Sequence, residues 1–185
     1  MKLCQKKRTC LSFYIIFPGT TGQDLNPDFV ARLAEKIPSI IGVKETVDEA
    51  GHIREMIIKT KAVRPEFKVF SGYDDHLLNT LTLGGDGAIS VGVNFAPELQ
   101  VGIYKAYQDK KFEEAIILHR RLAYIPLLYK LDTPFINIVK ETMIMLGKQI
   151  QPDVFPPGSA VTEQQRVQIK EILKQAGLQP VSLKK

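Results

Sequence analysis

The first 110 residues alternate short apolar runs with amphipathic stretches, and this rhythm limits the folds open to the chain. Leu11 to Phe17, Ile40 to Val43, Lys68 to Ser71 and Gly87 to Val91 read as four strands. Strands that are apolar on both faces belong in parallel sheets covered by helices. The intervening stretches supply those helices. After a turn at Gly19 to Gly22, Asn26 and Pro27 form an N-cap and first-turn proline. Phe29, Val30, Leu33, Ala34 and Ile37 then recur at helical spacing. A second helix carries Ile53, Met56 and Ile57 and reaches about Val63, before Pro65. Asp74 or Asp75 is placed to cap a third, with Leu77, Leu78 and Leu81, which Gly84 and Gly85 stop. A fourth runs from about Pro97 to Asp109. Spacing alone leaves two architectures open, a doubly wound sheet or part of a barrel.

Beyond Lys110 the strand signals stop. Phe112 to Tyr129 has a helical pattern that Pro126 kinks or shortens. Thr133 and Pro134 begin another helix, ending at Gly147. Pro152, Pro156, Pro157 and Gly158 mark a loop. Thr162 and Gln165 then have the capping-box spacing for a last helix to Gly177. The chain therefore divides into an irregular basic head (1–12), an α/β region (13–110) and a helical region (111–185).

Composition excludes several classes of function. With 44% hydrophobic and 24% charged residues, the 185-residue chain has the make-up of an ordinary globular protein. The net charge of +5 is modest, and much of it sits at the ends, in Lys2, Lys6, Lys7, Arg8, Lys184 and Lys185. No interleaved aromatic pattern or zinc spacing accompanies it, so nucleic-acid binding is not expected. Two cysteines, Cys4 and Cys10, are too few for a disulfide scaffold and suit a reducing cytoplasm. The apolar stretch from Leu11 to Phe17 is too short for a signal peptide core and lacks a small-residue cleavage site. No run is long enough to cross a bilayer. His52, His76 and His119 fall on separate helical segments, which argues against a metal site.

One residue carries a chemical signal. Lys44 closes the apolar run Ile40-Ile41-Gly42-Val43. Burial disfavours the charged form of a lysine, and a neutral amine can attack a carbonyl to form a Schiff base. The alternative is a solvated charge at a strand tip. The remaining candidates have simpler readings. Asp74 and Asp75 suit a helix cap, Ser71 and Ser90 have no evident His/Asp relay, and Tyr124 and Tyr129 suit helix packing. The glycines at 84, 85 and 87 form a turn into a strand, unlike a phosphate cradle before a helix.

Four local patterns occur in order: Phe17-Pro18-Gly19-Thr20-Thr21-Gly22, Ile40 to Thr46, Phe70-Ser71-Gly72-Tyr73-Asp74-Asp75, and Gly84-Gly85-Asp86-Gly87-Ala88-Ile89-Ser90-Val91. Together they resemble the second half of the dihydrodipicolinate synthase and N-acetylneuraminate lyase family of class I aldolases, from about residue 13 to residue 178. The stretches Gly22-Gln23-Asp24-Leu25 and Leu131-Asp132-Thr133-Pro134-Phe135 are most like the 2-keto-3-deoxygluconate aldolase branch. The resemblance implies the second half of a (β/α)8 barrel, about four parallel strands with helices, followed by a C-terminal helical domain. It implies a small 2-keto acid as partner, Lys44 as the Schiff-base lysine, no metal or organic cofactor, and a homo-oligomer in the complete family enzyme. Thr20, Gly72, Ile89 and Ser90 fall at substrate-side positions.

Three departures accompany the resemblance. The family's first four strands are absent, with their carboxylate-binding Gly-Thr-Thr-Gly-Glu motif. The Gly19-Thr20-Thr21-Gly22 here belongs instead to the loop after this chain's first strand, where the family has its Pro-x-x-Thr-Gly turn. The family's catalytic tyrosine aligns with Ile15, while Tyr14 stands one place earlier, on the opposite face of a regular strand. Thr20 replaces an arginine of the dihydrodipicolinate synthases, which points to a 2-keto-3-deoxy sugar acid as the substrate of a complete enzyme. Dihydrodipicolinate synthase or N-acetylneuraminate lyase activity, or a truncated and inactive remnant, are the alternatives.

Overall fold

Each of the four apolar runs enters one parallel sheet. The computed structural model describes residues 11–181, apart from the side chain of Thr20. Residues 1–10 of the basic head, with Cys4 and Cys10, and the tail lysines Lys184 and Lys185 lie outside the described residues. The strands are β1 (Ser12–Ile16), β2 (Ile40–Glu45), β3 (Lys68–Ser71) and β4 (Gly87–Ala88), hydrogen-bonded in chain order. The connections are α1 (Pro18–Thr21) with α2 (Pro27–Lys36), then α3 (Ala50–Val63), then α4 (Leu77–Thr82). After β4 come α5 (Pro97–Gln108), α6 (Phe112–Leu122), α7 (Ile136–Met145) and α8 (Glu163–Gln175).

Strand register fixes what each face carries. Ile15, Lys44, Phe70 and Gly87 stand opposite one another across the four strands, so they share a face. Tyr14 pairs with Val43, and Ile16 with Glu45, on the other face. The one irregularity of the β1–β2 ladder lies between Ser12 and Phe13. Because it precedes Tyr14, it leaves the expected phase of residues 14 and 15 unchanged. Ile16, Val43 and Val69 are buried beneath α2 and α3, against Val30, Ala34, Ile53, Met56 and Ile57. The opposite face is open, and Ile15 there is 61% exposed.

A second core joins the last part of the α/β region to the helices that follow. Leu77 and Leu81 of α4 and Leu99 and Ile103 of α5 are buried in one cluster with Leu122, Ile138, Ile169 and Leu173. Fully burying each such side chain is worth about 1.5–3 kcal/mol against leaving it exposed. This cluster presses the helical region against the carboxyl ends of β3 and β4.

Two elements differ from the sequence reading. The fourth strand covers only Gly87–Ala88, although ladder bonds continue from Asp86 N to Val69 O and from Ile89 N to Ser71 O, both 2.8 Å. The chain then turns into a 3₁₀ segment, Val91–Asn94, drawn inward by a hydrogen bond from Gly92 N to the Asp74 carboxylate. The expected helix over Phe112 to Tyr129 stops at Leu122 and resumes as a 3₁₀ segment, Ile125–Lys130, whose second residue is Pro126. A proline there has no N–H to continue the α-helical ladder. Among the described residues no helix is long and apolar enough to cross a membrane.

The last helix begins with the reciprocal cap its sequence announces. Gln165 N donates to Thr162 Oγ1 at 3.2 Å, and Thr162 N donates to Gln165 Oε1 at 2.9 Å. Gln165 Nε2 reaches on to Leu131 O at 3.0 Å, tying the helix start to the 3₁₀ segment. Thr162→Ala is expected to lower stability by about 1 kcal/mol, and Thr162→Ser to retain most of it, in urea unfolding followed by circular dichroism.

Candidate active site

Lys44 lies at the carboxyl end of β2 on the open face, one residue before the strand ends. Side-chain alternation forces its neighbours Val43 and Glu45 to the helix-covered face. Its amine opens into a cavity of about 320 Å³ bounded by β2 and β3 on one side and the 3₁₀ segment Ile125–Lys130 on the other. The lining includes Phe17, Thr46, Gly72, Tyr73, Tyr129 and Phe135, with Asp48, Asp75 and Lys130 supplying charge. Burial lowers the Lys44 pKa from its ordinary value, and the nearby Asp74 carboxylate pulls it partly back. The amine is thus more readily neutral than that of a solvated lysine, and more nucleophilic at neutral pH.

Gly72 makes this arrangement possible. A Cβ at position 72 would overlap the Thr46 side chain, hydroxyl included. Glycine lets Thr46, two residues beyond Lys44, lie against the end of β3. The Thr46 hydroxyl is buried and has no hydrogen-bond partner among the described residues.

The opposite wall is held by Asp74. This carboxylate is buried, and it does not cap α4 as the sequence suggested. Tyr129 Oη donates to Oδ2 at 2.6 Å, and Gln100 Nε2 and Gly92 N donate to Oδ1 at 2.6 and 2.9 Å. Burial raises the Asp74 pKa, and the donors from Tyr129 and Gly92 oppose that rise. Tyr129, read from sequence as a packing residue, is therefore anchored at its hydroxyl and set against Phe135, with ring centroids 4.8 Å apart. Its phenol is pushed far above the ordinary range by burial and by Asp74, so it donates and stays neutral.

Charged groups rim the cavity. His76 Nε2 lies 2.8 Å from Asp48 Oδ1, joining the loops after β2 and β3. The Tyr73 ring meets His76 edge-on at 5.9 Å. Burial raises the Tyr73 pKa, with smaller contributions from Asp48 and Asp75.

The structure brings only part of the expected residue set together. Lys44 and Gly72 line the cavity. Ile89 is 47% exposed and lies outside that lining. Ser90 is turned inward, donating to Gln100 Oε1 at 2.9 Å as the outer layer of the Asp74 network. Thr20 lies in α1, and its side chain is outside what the structure describes. Asp74 and Tyr129 were missed as site-forming residues. The signal for Asp74 was present, an acid just past a strand end after Gly72-Tyr73, but a helix cap has the same local pattern.

The match to known proteins covers nearly all of this architecture. Residues 13–176 match the dihydrodipicolinate synthetase family. The chain belongs to that family. It is 46% identical over 165 residues to "Probable 2-dehydro-3-deoxy-D-pentonate aldolase YjhH" of Escherichia coli K12, covering 89% of this chain and 55% of that protein. The crystal structure of YagE, a prophage protein of the dihydrodipicolinic acid synthase family from E. coli K12 in complex with pyruvate, superposes with a TM-score of 0.88. It shares 45% identity and covers 91% of this chain and 56% of that one. Dihydrodipicolinate synthase from Thermotoga maritima aligns with a TM-score of 0.81 at 29% identity, over 89% of this chain and 55% of that one. The chain spans about half the length of these relatives, and its four parallel strands with their helices correspond to half of a TIM barrel.

The Asp74 network yields a direct test. Tyr129→Phe keeps the ring against Phe135 and removes the donor to Asp74 Oδ2. Leaving a buried carboxylate oxygen unpaired costs about 1–3 kcal/mol, so the urea midpoint should fall accordingly.

Proposed function

We propose that Lys44 is the Schiff-base lysine of a class I aldolase unit acting on a 2-keto-3-deoxy sugar acid. The observation that carries the reading is a partly buried amine of lowered pKa, at a barrel strand's carboxyl end, opening into a cavity large enough for a short keto acid. Catalytic groups of such barrels lie at the carboxyl ends of strands. The names of two relatives, "Probable 2-dehydro-3-deoxy-D-pentonate aldolase YjhH" and "Putative 2-dehydro-3-deoxy-D-gluconate aldolase YagE", support the substrate class. The pyruvate complex of YagE supports the three-carbon product.

The chemistry follows from the amine. Neutral Lys44 adds to the keto carbon of the substrate, and the carbinolamine takes up a proton from solvent and loses water to leave an iminium. The C4 hydroxyl gives up its proton as the C3–C4 bond breaks, releasing an aldehyde, and the bonding electrons pass into the iminium to form an enamine. Protonation at C3 and hydrolysis then return pyruvate and the free amine. None of these steps uses a metal or an organic cofactor.

Ile15 sets a limit on this chain. It stands opposite Lys44 in the ladder, on the same face, and a hydrocarbon there moves no proton. Tyr14 is on the other face with Val43. Iminium formation, which needs the amine, is therefore separated in this chain from bond cleavage, which needs a proton acceptor at the C4 hydroxyl.

Incubation with pyruvate and borohydride, followed by peptide mass spectrometry, is expected to give one reduced adduct, at Lys44. Lys44→Ala should abolish it. Labelling at another lysine, or undiminished labelling of Lys44→Ala, overturns the assignment. Pyruvate release from 2-keto-3-deoxygluconate by the same sample should fall at least a hundredfold below the median enzyme rate of about 10 per second.

A further inference from the structure

Directly behind Lys44, on the helix side of the sheet, lies a group of ionisable residues that the chemistry above does not use. Glu45 ends β2, and its carboxyl is fully buried. His52, in the first turn of α3, places Nδ1 3.4 Å from Glu45 Oε2. On the far side of the same ring, Nε2 lies 3.1 Å from Oδ2 of Asp24, which belongs to the loop before α2. Three segments distant in sequence thus meet through one imidazole. Glu49, at the start of α3, is exposed, and Lys44 points to the opposite face of the sheet. The group is not a metal site, since no set of three or more His, Cys, Asp or Glu among the described residues is arranged to hold an ion.

We propose that Asp24, His52 and Glu45 form a positioning cluster that fixes the end of β2, and with it the Lys44 amine, from the back of the sheet. The proposal rests on Lys44 being the reactive amine. The mechanical link is the backbone. Gly72 N donates to Glu45 O at 2.5 Å, and Thr46 N donates to Ile16 O at 2.8 Å. The strand-end bonds beside Lys44 are therefore made by the Glu45 carbonyl and the peptide that follows it. A displaced Glu45 side chain moves those bonds.

The cluster holds together only while its charge is limited. Asp24 is the more exposed carboxylate of the pair and lies 3.1 Å from Nε2 of His52. Nδ1 faces Glu45 Oε2 at 3.4 Å with no hydrogen bond between them, so the buried Glu45 oxygens have nothing to stabilise a negative charge from this side. Burial, with Asp24 second, raises the Glu45 pKa to about 8, against a smaller opposing backbone hydrogen bond from Val47. Because the folded value lies above the ordinary one, the stability contributed by Glu45 is complete at acid pH and is lost as pH rises through 8. Above that, two carboxylates flank the His52 ring, and the strand end is pushed away from the loop before α2.

The test reads Lys44 itself. In the full chain with reductively ¹³C-methylated lysines, the Lys44 signal is expected to titrate twice, once with its own amine and once near pH 8. The second step should vanish in Glu45→Gln, move to lower pH in Asp24→Asn, and stay in place in Glu49→Gln. In parallel, the wild-type to Glu45→Gln ratio of pyruvate–borohydride labelling should fall about tenfold between pH 7 and pH 9, as one ionising group dictates. A purely structural Glu45 would lower both variants' signals without a pH-dependent ratio. A single Lys44 titration in the wild type, or an unchanged second step in Glu45→Gln, overturns the proposal. If that step is present but pyruvate labels nothing, the Schiff-base reading fails and the positioning cluster stands.

Discussion

A carboxyl group removed from water does most to decide how this molecule is assembled. Asp74 sits just past β3, where a strand end meets two helical layers, and its charge is tolerable there only if donors replace the lost solvent. Those donors come from a tyrosine in the helical region, a glutamine on α5 and a backbone amide in the turn after β4. Hydrogen bonds to ionised groups are about twice as strong as neutral ones. Three separate elements therefore converge on one point, and their convergence builds the far wall of the cavity. The inward turn that ends β4 follows from this arrangement.

The second organising feature is the parity of a strand. Lys44 and Glu45 are adjacent in sequence, yet the pleat sends one into an open cavity and the other beneath a helix. Burial acts on both in chemically opposite directions. It makes the amine easier to deprotonate and the acid harder to ionise, so both groups are driven toward their neutral forms. A single dipeptide thereby sets an amine of lowered pKa on one face and an acid of raised pKa on the other.

Much of the fold was legible because local signals and global architecture agree. The alternation of apolar runs located all four strands, Asn26 caps α2 by accepting from Phe29 N at 3.0 Å, and Thr162 with Gln165 closes the box expected at α8. Lys44 was legible because it terminates an apolar strand. The parts that were not legible depend on contacts between distant residues. Asp74 looks like a cap until Tyr129, 55 positions away, is seen to bond to it. Ser90 looks available to substrate until Gln100 claims its hydroxyl. His52 looks isolated until the loop with Asp24 and the end of β2 close on either side of it. In each case the residue type suggested polarity, and only tertiary packing chose the partner.

The second core bears on how the chain comes to be made. Leu77 and Leu81 are made well before Ile169 and Leu173, which belong to the apolar surface that covers them. A chain growing at about 5–20 residues per second must carry that half-built layer for several seconds before its partner exists. The α2–α3 layer suffers no such delay, because its contributors all fall between Ile16 and Val69. Biosynthesis therefore sets the order of assembly. The sheet with its lysine can form on the ribosome, and the wall that turns the lysine's surroundings into a cavity closes only after α8 has emerged.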